Sequence, residues 1–143
     1  MTMKELIQQG LVREIPPNNS RAKSLMLMSG QTMDAVIKLD LSGENSSIIF
    51  RELYECLRQA IEAIGYKKGL KFENHESLKT FIGEVLNNKV LASDFDRFRK
   101  IRNGINYYGD TVSLETAAQA IKDIPKYVRE LLDNKHYPSF YSK

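Results

Sequence analysis

The spacing of apolar residues along the chain predicts a series of amphipathic helices. Residues 48–65 show the pattern most clearly, because isoleucines, leucines and an alanine recur there at intervals of three and four. The same spacing predicts helices over residues 21–40 and 75–88, from about Asp94 to Tyr108, and from Ser113 to about Asn134. No stretch alternates apolar and polar residues as a half-buried strand does. We therefore predict an all-α fold, an antiparallel up-and-down bundle of four to five helices.

Breaks in this pattern divide the chain into three parts. Residues 1–15 predict a short helix, which Pro16 and Pro17 end because proline lacks an N–H donor and restrains the residue before it. We therefore predict an N-terminal arm over residues 1–17, packed on a bundle that spans residues 18–134, and a C-terminal tail over residues 135–143. In the helix predicted over residues 21–40, the expected core face consists of Leu25, Met28, Met33, Val36, Ile37 and Leu39.

Local signals refine the ends of the later helices. Ser93 and Asp96 have the spacing of a capping box, which predicts that the helix begins near Asp94. Gly104 falls inside that helix, where glycine costs about 1 kcal/mol relative to alanine, so a neighbour or a ligand should approach it closely. Gly109 and the residue after it should end the helix, and Pro125 should kink or split the last helix.

Composition limits the classes of protein to consider. A chain of 143 residues with a formal net charge of +3 fits one globular domain and permits an anionic partner. The single cysteine, Cys56, excludes an internal disulfide and lies among apolar neighbours, so we expect a small buried side chain. The chain lacks a run of about 18 apolar residues. We therefore expect a cytoplasmic protein that does not enter a membrane.

Most familiar catalytic patterns are missing. Neither histidine, His75 nor His136, has the Glu-x-x-His spacing of bundle di-iron sites, and no cysteine pair exists, so we expect no metal site. The glycine patterns of phosphate-binding loops are also missing, and we expect no cofactor. We interpret His75 as a surface residue at a helix entry. Asp94 and Asp96 fit helix capping better than acid–base catalysis, and the loop lysines Lys67, Lys68 and Lys71 fit a solvated surface.

Residues 97–110 stand out from the rest of the chain. They contain four basic residues, two asparagines, two tyrosines and two glycines. On a helix, Arg99, Arg102 and Asn106 form a row beside the apolar stripe. Arginines at the border of a core suit a phosphate site, because their planar fork of donors matches phosphate oxygens. The alternative is a solvated face whose arginine stems merely cover the core.

Residues 102–107, Arg-Asn-Gly-Ile-Asn-Tyr, resemble the signature of the HEPN family of small helical-bundle proteins. The family motif is an arginine, often followed by asparagine, with a histidine four to six residues after the arginine. It lies at the end of the penultimate main helix, which is where it falls here. The resemblance covers roughly residues 20–134. The chain departs from the motif at the histidine, because the corresponding positions hold Tyr107 and Tyr108.

The resemblance implies two kinds of function. Some family members are metal-independent endoribonucleases, often toxins, that dimerise to form one cleft, and others pair with a small nucleotidyltransferase that can act as an antitoxin. In some toxins that enzyme modifies a tyrosine two residues beyond the histidine, a position that corresponds to Gly109 here. We accordingly expect a homodimer whose partners are a small nucleotidyltransferase and RNA or a nucleotide.

By this match, the phosphate-contacting arginine is Arg102. If the protein is an enzyme, the candidate catalytic residues are Arg102 and Tyr107, although a tyrosine with an ordinary pKa near 10 is a far weaker base than histidine. The candidate residues for binding RNA or nucleotide are Arg99, Arg102, Asn103, Asn106 and Tyr108.

Three functional hypotheses follow. The first is a HEPN-like toxin–antitoxin or nucleotidyltransferase-associated component that binds RNA or nucleotide phosphate. The second is an active metal-independent endoribonuclease with tyrosine in place of histidine. The third is a non-catalytic scaffold whose basic helix binds an acidic protein surface.

Overall fold

The computed structural model describes residues 1–133, and in that range it contains six helices and a two-stranded sheet. The all-α helical bundle predicted from the sequence is confirmed. The predicted C-terminal tail lies outside the described residues. In chain order the elements are α1 (Met3–Gln8), β1 (Val12–Glu14), α2 (Asn19–Val36), α3 (Ser46–Lys67), β2 (Leu70–Phe72), α4 (Glu76–Glu84), α5 (Lys89–Tyr108) and α6 (Leu114–Asp133).

Helix α3 forms the centre of the bundle. It packs against α2 on one side and α6 on another, and it also contacts α4 and α5. Twelve of its residues are buried, including Phe50, Leu53, Tyr54 and Cys56, so the expectation of a buried cysteine is confirmed. The ring of Phe50 meets that of Phe98 on α5 edge to face, with centroids 6.0 Å apart. These contacts fix the part of α5 that precedes residues 102–107.

Helix α2 buries only part of the predicted face, since Met33 and Val36 are buried as expected and Leu25 is partly buried. Met28 and Leu39 are each 50% exposed, and the helix ends at Val36 instead of continuing to residue 40. Small residues occupy part of the interface, since the Ser29 hydroxyl donates to the Cys56 carbonyl across a distance of 2.7 Å. A sequence search for large apolar residues does not find a helix face that includes alanine and serine. The buried positions of α2 are Ala22, Met26, Ser29, Met33 and Val36.

The N-terminal segment is not the single helix predicted over residues 1–15. Helix α1 ends at Gln8, Gly10 adopts a φ of +74°, and β1 then pairs antiparallel with β2 so that Val12 lies opposite Phe72. The prediction of no strands was therefore wrong. Strands of three residues are too short to show a reliable alternation. Of the lysines assigned to a solvated loop, Lys67 instead ends α3 and Lys71 lies in β2.

Helix α5 begins five residues before the predicted start. The Asn88 side chain accepts a hydrogen bond from the Leu91 N–H at 3.0 Å, as an N-cap does. Ser93 and Asp96 therefore lie inside the helix, and the proposed capping box was wrong. Pro125 does not split the last helix, because α6 runs from Leu114 to Asp133 with the proline buried inside it.

Candidate functional site

The HEPN-like motif, residues 102–107, lies on the last turns of α5. A tight C-terminal cap ends the helix directly after it. Gly109 has a φ of +69°, a conformation that few other residues adopt without strain, and its N–H donates to the Gly104 carbonyl. The Asp110 N–H donates to the same oxygen at 3.1 Å. A Cβ atom at position 104 would lie 2.6 Å from Asp110 Oδ2. The expected close approach to Gly104 is therefore confirmed, and the neighbour is Asp110.

Arg102 is half-buried and is held by two contacts, neither of which is an ion pair. Its Nη1 donates to Asn103 Oδ1 at 3.0 Å. The centre of its guanidinium lies 5.5 Å from the ring centroid of the buried Tyr54, within the range of a cation–π contact. Within residues 1–133 no carboxylate forms an ion pair with it. The side chain is thus positioned, but its positive charge stays available to a ligand.

Arg99 lies one turn before Arg102, in a group of three cations around one carboxylate. Asp96 is approached by the Arg99 guanidinium at 3.0 Å, by Lys100 Nζ at 3.1 Å and by Lys79 Nζ at 3.5 Å. Burial acts to raise the pKa of Asp96, but the hydrogen bonds from Arg99 and Lys100 outweigh it and the pKa is lowered. One negative charge therefore faces three positive ones, and this surface has an excess of positive charge.

Tyr54 connects the motif to a histidine that the sequence did not mark as functional. The hydroxyl of Tyr54 and Nδ1 of His75 are 3.1 Å apart and share a hydrogen bond. The Tyr54 ring also stacks on Phe95 of α5, with centroids 5.5 Å apart. Burial raises the pKa of Tyr54 to about 12, so the hydroxyl keeps its proton at neutral pH. Tyr54 therefore lies between Arg102 and His75.

His75 precedes α4 as predicted, but it is half-buried and bonded to a core side chain rather than simply exposed. Burial and the positive charges of Arg58 and Arg102 lower its pKa to about 4, so the imidazole is neutral at pH 7. The tyrosine partner is 21 positions earlier in the chain, and helical periodicity assigns it only to the core. No pattern in the sequence joins the two residues.

Arg58 on α3 differs from Arg102 on α5 because it has carboxylate partners. It forms ion pairs with Glu55 and Glu62, one turn before and one turn after it on α3. Burial acts to raise the pKa of Glu55, but the hydrogen bond and charge of Arg58 lower it overall, with a smaller contribution from the charge of Arg102. Two carboxylates therefore offset the charge of Arg58. Arg102 is therefore better placed than Arg58 to bind an added anion.

The other predicted site residues occupy the exposed end of α5. Asn106 is exposed, and the side chains of Tyr107 and Tyr108 are 71% and 80% exposed. Within the described part of the chain, no hydrogen bond or ring contact joins Tyr107 to Arg102. The structure thus brings Arg99 and Arg102 near the pair of Tyr54 and His75, with Asn103 bonded to Arg102, and the two tyrosines lie beyond them at the helix end.

An open groove borders the charged surface. It has a volume of about 840 Å³ and lies between the N-terminal segment, α4 and the first half of α5. Asp96 and Lys79, which belong to the group of charges around Arg99, line one part of it. The groove therefore lies beside the charges around Asp96 and extends toward α1.

Comparisons with known proteins provide no family assignment. No protein-family model matches the chain, and no curated protein or solved structure shows significant similarity to it. Among residues 1–133, no helix is long and apolar enough to cross a membrane. In the same range, no three histidine, cysteine, aspartate or glutamate side chains are grouped as metal ligands would be.

Proposed function

We propose that this chain is a HEPN-like protein that binds RNA or nucleotide phosphate through the surface around Arg102. The observation that carries the proposal is the state of that arginine, which is half-buried and held in place without an ion pair among the described residues. A partly buried charge without a counter-ion in contact is less well solvated than an exposed one, and a phosphate would bring negative charge into contact with it.

The surroundings of Arg102 suit a nucleic-acid strand. A guanidinium has five N–H donors, and the bond to Asn103 uses one of them, so several remain for phosphate oxygens. Lys79 and Lys100 add positive charge around Asp96, next to a groove that is also lined by Glu76 and Glu84. At the other end of α5, the exposed ring of Tyr108 offers a face on which a base can stack.

The biological setting follows from the HEPN resemblance alone. In it, the protein is a homodimer that acts as a toxin–antitoxin component or the partner of a small nucleotidyltransferase. Co-expression with a nucleotidyltransferase encoded beside it should yield a stable complex, measured by size-exclusion chromatography with light scattering. A monomer that forms no complex would contradict this part of the proposal.

The binding proposal is tested with a fluorescently labelled single-stranded RNA titrated at several salt concentrations. Arg102→Gln should weaken binding and lower the slope of log affinity against log salt by about 0.7, the value for one phosphate contact to a single strand. Arg129→Gln is the matched control, because it removes the same charge from an exposed position on α6.

Two outcomes would contradict phosphate binding at Arg102. In the first, Arg102→Gln and Arg129→Gln change the affinity and the salt slope equally. In the second, the wild-type protein does not bind RNA, a nucleoside triphosphate or a nucleoside monophosphate at low salt. The scaffold alternative would then be favoured if the protein bound an acidic protein partner instead.

A further inference from the structure

We infer that the outer face of α2 is the surface through which two copies of this chain associate, with their α2 helices packed antiparallel. The inference rests on the homodimer in the proposed function, and it names the interface of that dimer. It does not depend on RNA binding at Arg102. The observations behind it are an edge helix, an apolar patch on its open side, and charges that complement each other across a two-fold axis.

Helix α2 lies at the edge of the bundle. It packs along α3, and within residues 1–133 no other helix or strand makes extensive contact with it. Helix α3, in contrast, contacts α2, α4, α5 and α6. The buried side of α2 faces α3, where the Ser29 hydroxyl donates to the Cys56 carbonyl. The opposite side of α2 is therefore left without a partner among the described residues.

Two large apolar side chains lie in the middle of this open side. Leu27 is 58% exposed and Met28 is 50% exposed, although the solvation of such side chains is unfavourable. The residues one and two turns away on either side are exposed as well, and all of them are uncharged: Ser20, Ser24, Gln31 and Ala35. The spacing places all six on one stripe of the helix. Because most of the flanking side chains are short, a second helix can approach closely and bury Leu27 and Met28.

This stripe is self-complementary about its midpoint. A two-fold axis between Leu27 and Met28, perpendicular to the helix, places Leu27 of one copy against Met28 of the other. The same operation pairs the positions that flank them, Ser24 with Gln31 and Ser20 with Ala35. Such an isologous interface uses one patch on both copies and is complete when two copies have paired. The stripe therefore favours a closed dimer over an open chain of copies.

Charges at the edge of the stripe fit the same arrangement. Lys23 and Asp34 are exposed, and in the described part of the chain neither forms an ion pair. They are eleven positions apart, close to three helical turns, so they lie on the same edge of the face. The two-fold axis brings Lys23 of each copy beside Asp34 of the other. The dimer therefore contains two opposite-charge pairs that a single copy cannot form.

The inference is tested by sedimentation velocity over a range of protein concentrations, which measures the dissociation constant of the dimer. Leu27→Glu should raise this constant by about ten-fold or more, because the dimer would then bury an unpaired charge. Val90→Glu is the matched control, since Val90 is 69% exposed on α5 and lies outside the proposed interface. It should leave the constant within about two-fold of the wild-type value. Both variants should keep a cooperative thermal transition, which shows that they fold.

A charge-reversal experiment tests the antiparallel arrangement. Lys23→Glu and Asp34→Lys should each weaken the dimer by about five-fold or more at low salt, because each creates two like-charge pairs. The double variant should dimerise like the wild type. An equimolar mixture of the two single variants should do the same, since opposite charges then face each other at both positions. Failure of both to restore dimerisation would overturn the antiparallel pairing.

Other outcomes separate this inference from the proposed function. If Leu27→Glu and both charge-reversal variants dimerise as well as the wild type, the inference is overturned and the homodimer survives. A wild-type protein that is monomeric at every concentration would overturn both. If Leu27→Glu still dimerises but no longer binds the nucleotidyltransferase encoded beside it, this face binds that enzyme and the inference is overturned. RNA titration of Arg102→Gln tests phosphate binding independently of these results.

Discussion

At the scale of single residues, His75 gains a measurable dependence on pH from its surroundings. Its pKa is lowered to about 4 in the folded protein, while an unfolded histidine has a pKa near 6.5. Between these two values the unfolded state binds more protons than the folded state. The contribution of His75 therefore makes the folded protein less stable as pH falls from about 6.5 toward 4.

A variant comparison isolates this effect. Between pH 7 and pH 5 the wild-type protein should lose about 1 kcal/mol more of its free energy of unfolding than His75→Gln, after allowance for the partial exposure of the ring. Urea denaturation at both pH values measures the difference. Equal losses in the two proteins would show that the folded state does not hold His75 neutral.

The sequence identified only half of the candidate site. Arg99 and Arg102 could be chosen because they lie in one row of a helix, where spacing defines a face, and Asn103 was chosen from the resemblance to the HEPN motif. His75 could not, because its relation to Arg102 depends on Tyr54, a residue on a third element that periodicity assigns simply to the core. Contacts between elements far apart in the chain are not encoded in the spacing of a single helix.

At the scale of secondary-structure elements, the end of α5 depends on the pairing of Gly104 with Asp110. Replacing Asp110 with alanine removes the carboxylate that a Cβ at position 104 would meet. In that background, Gly104→Ala should stabilise the protein by about 0.5–1 kcal/mol, because alanine is the better helix former. In the wild-type background the gain should be smaller or reversed.

Thermal denaturation of the four proteins in this cycle provides the test. A coupling energy of about 0.5 kcal/mol or more between the two positions is expected for residues in contact. Purely additive effects would mean that the Asp110 side chain moves away from Gly104 at no cost.

A second link between elements joins α5 and α6. The Tyr127 hydroxyl donates to a carboxylate oxygen of Asp94, and burial raises the pKa of that tyrosine. Tyr127→Phe should lower the free energy of unfolding by about 1–2 kcal/mol, since hydrogen bonds to charged groups contribute about 1.5–3 kcal/mol and this one is partly exposed.

The matched control for Tyr127→Phe is Tyr66→Phe. Within residues 1–133 the Tyr66 hydroxyl makes no hydrogen bond, although Arg21 lies 5.6 Å from the ring centroid. Its loss should change stability very little. Equal effects of the two variants in urea denaturation would argue against the bond between α5 and α6.

The helices that the sequence predicted well are those with strong apolar period, above all α3. The predicted helix start was wrong where two short polar patterns could each cap the same helix. Asn88 caps α5, but Ser93 and Asp96 offered an equally good capping pattern five residues later. The two strands of three residues depend on each other for pairing, so neither segment carries a signal by itself.

At the scale of the whole molecule, residues 1–17 contribute to the same core as the bundle. Met3, Leu6 and Val12 are buried in one cluster with the helices. Deletion of residues 1–17 should lower the melting temperature by about 10 °C or more, because burying each such side chain contributes roughly 1.5–3 kcal/mol. Differential scanning calorimetry measures the change.

Two substitutions within β1 provide the control for this deletion. Val12→Ser removes a fully buried side chain, while Arg13→Ser changes an exposed one in the same strand. Only the first should approach the effect of the deletion. A truncated protein that melts within about 2 °C of the full chain would show that the segment adds no stability.

The pairing of β1 with β2 also has a consequence for the order of folding. Arg13 and Glu73 form an ion pair beside the strands although they are separated by 60 positions in the chain. Closing so long a loop is entropically unfavourable until α2 and α3 have formed between its ends. Pulse-labelling hydrogen exchange should therefore protect the amides of Val12–Glu14 after those of α3, and simultaneous protection would contradict this order. This N-terminal strand would then become ordered only after helices that follow it in the chain.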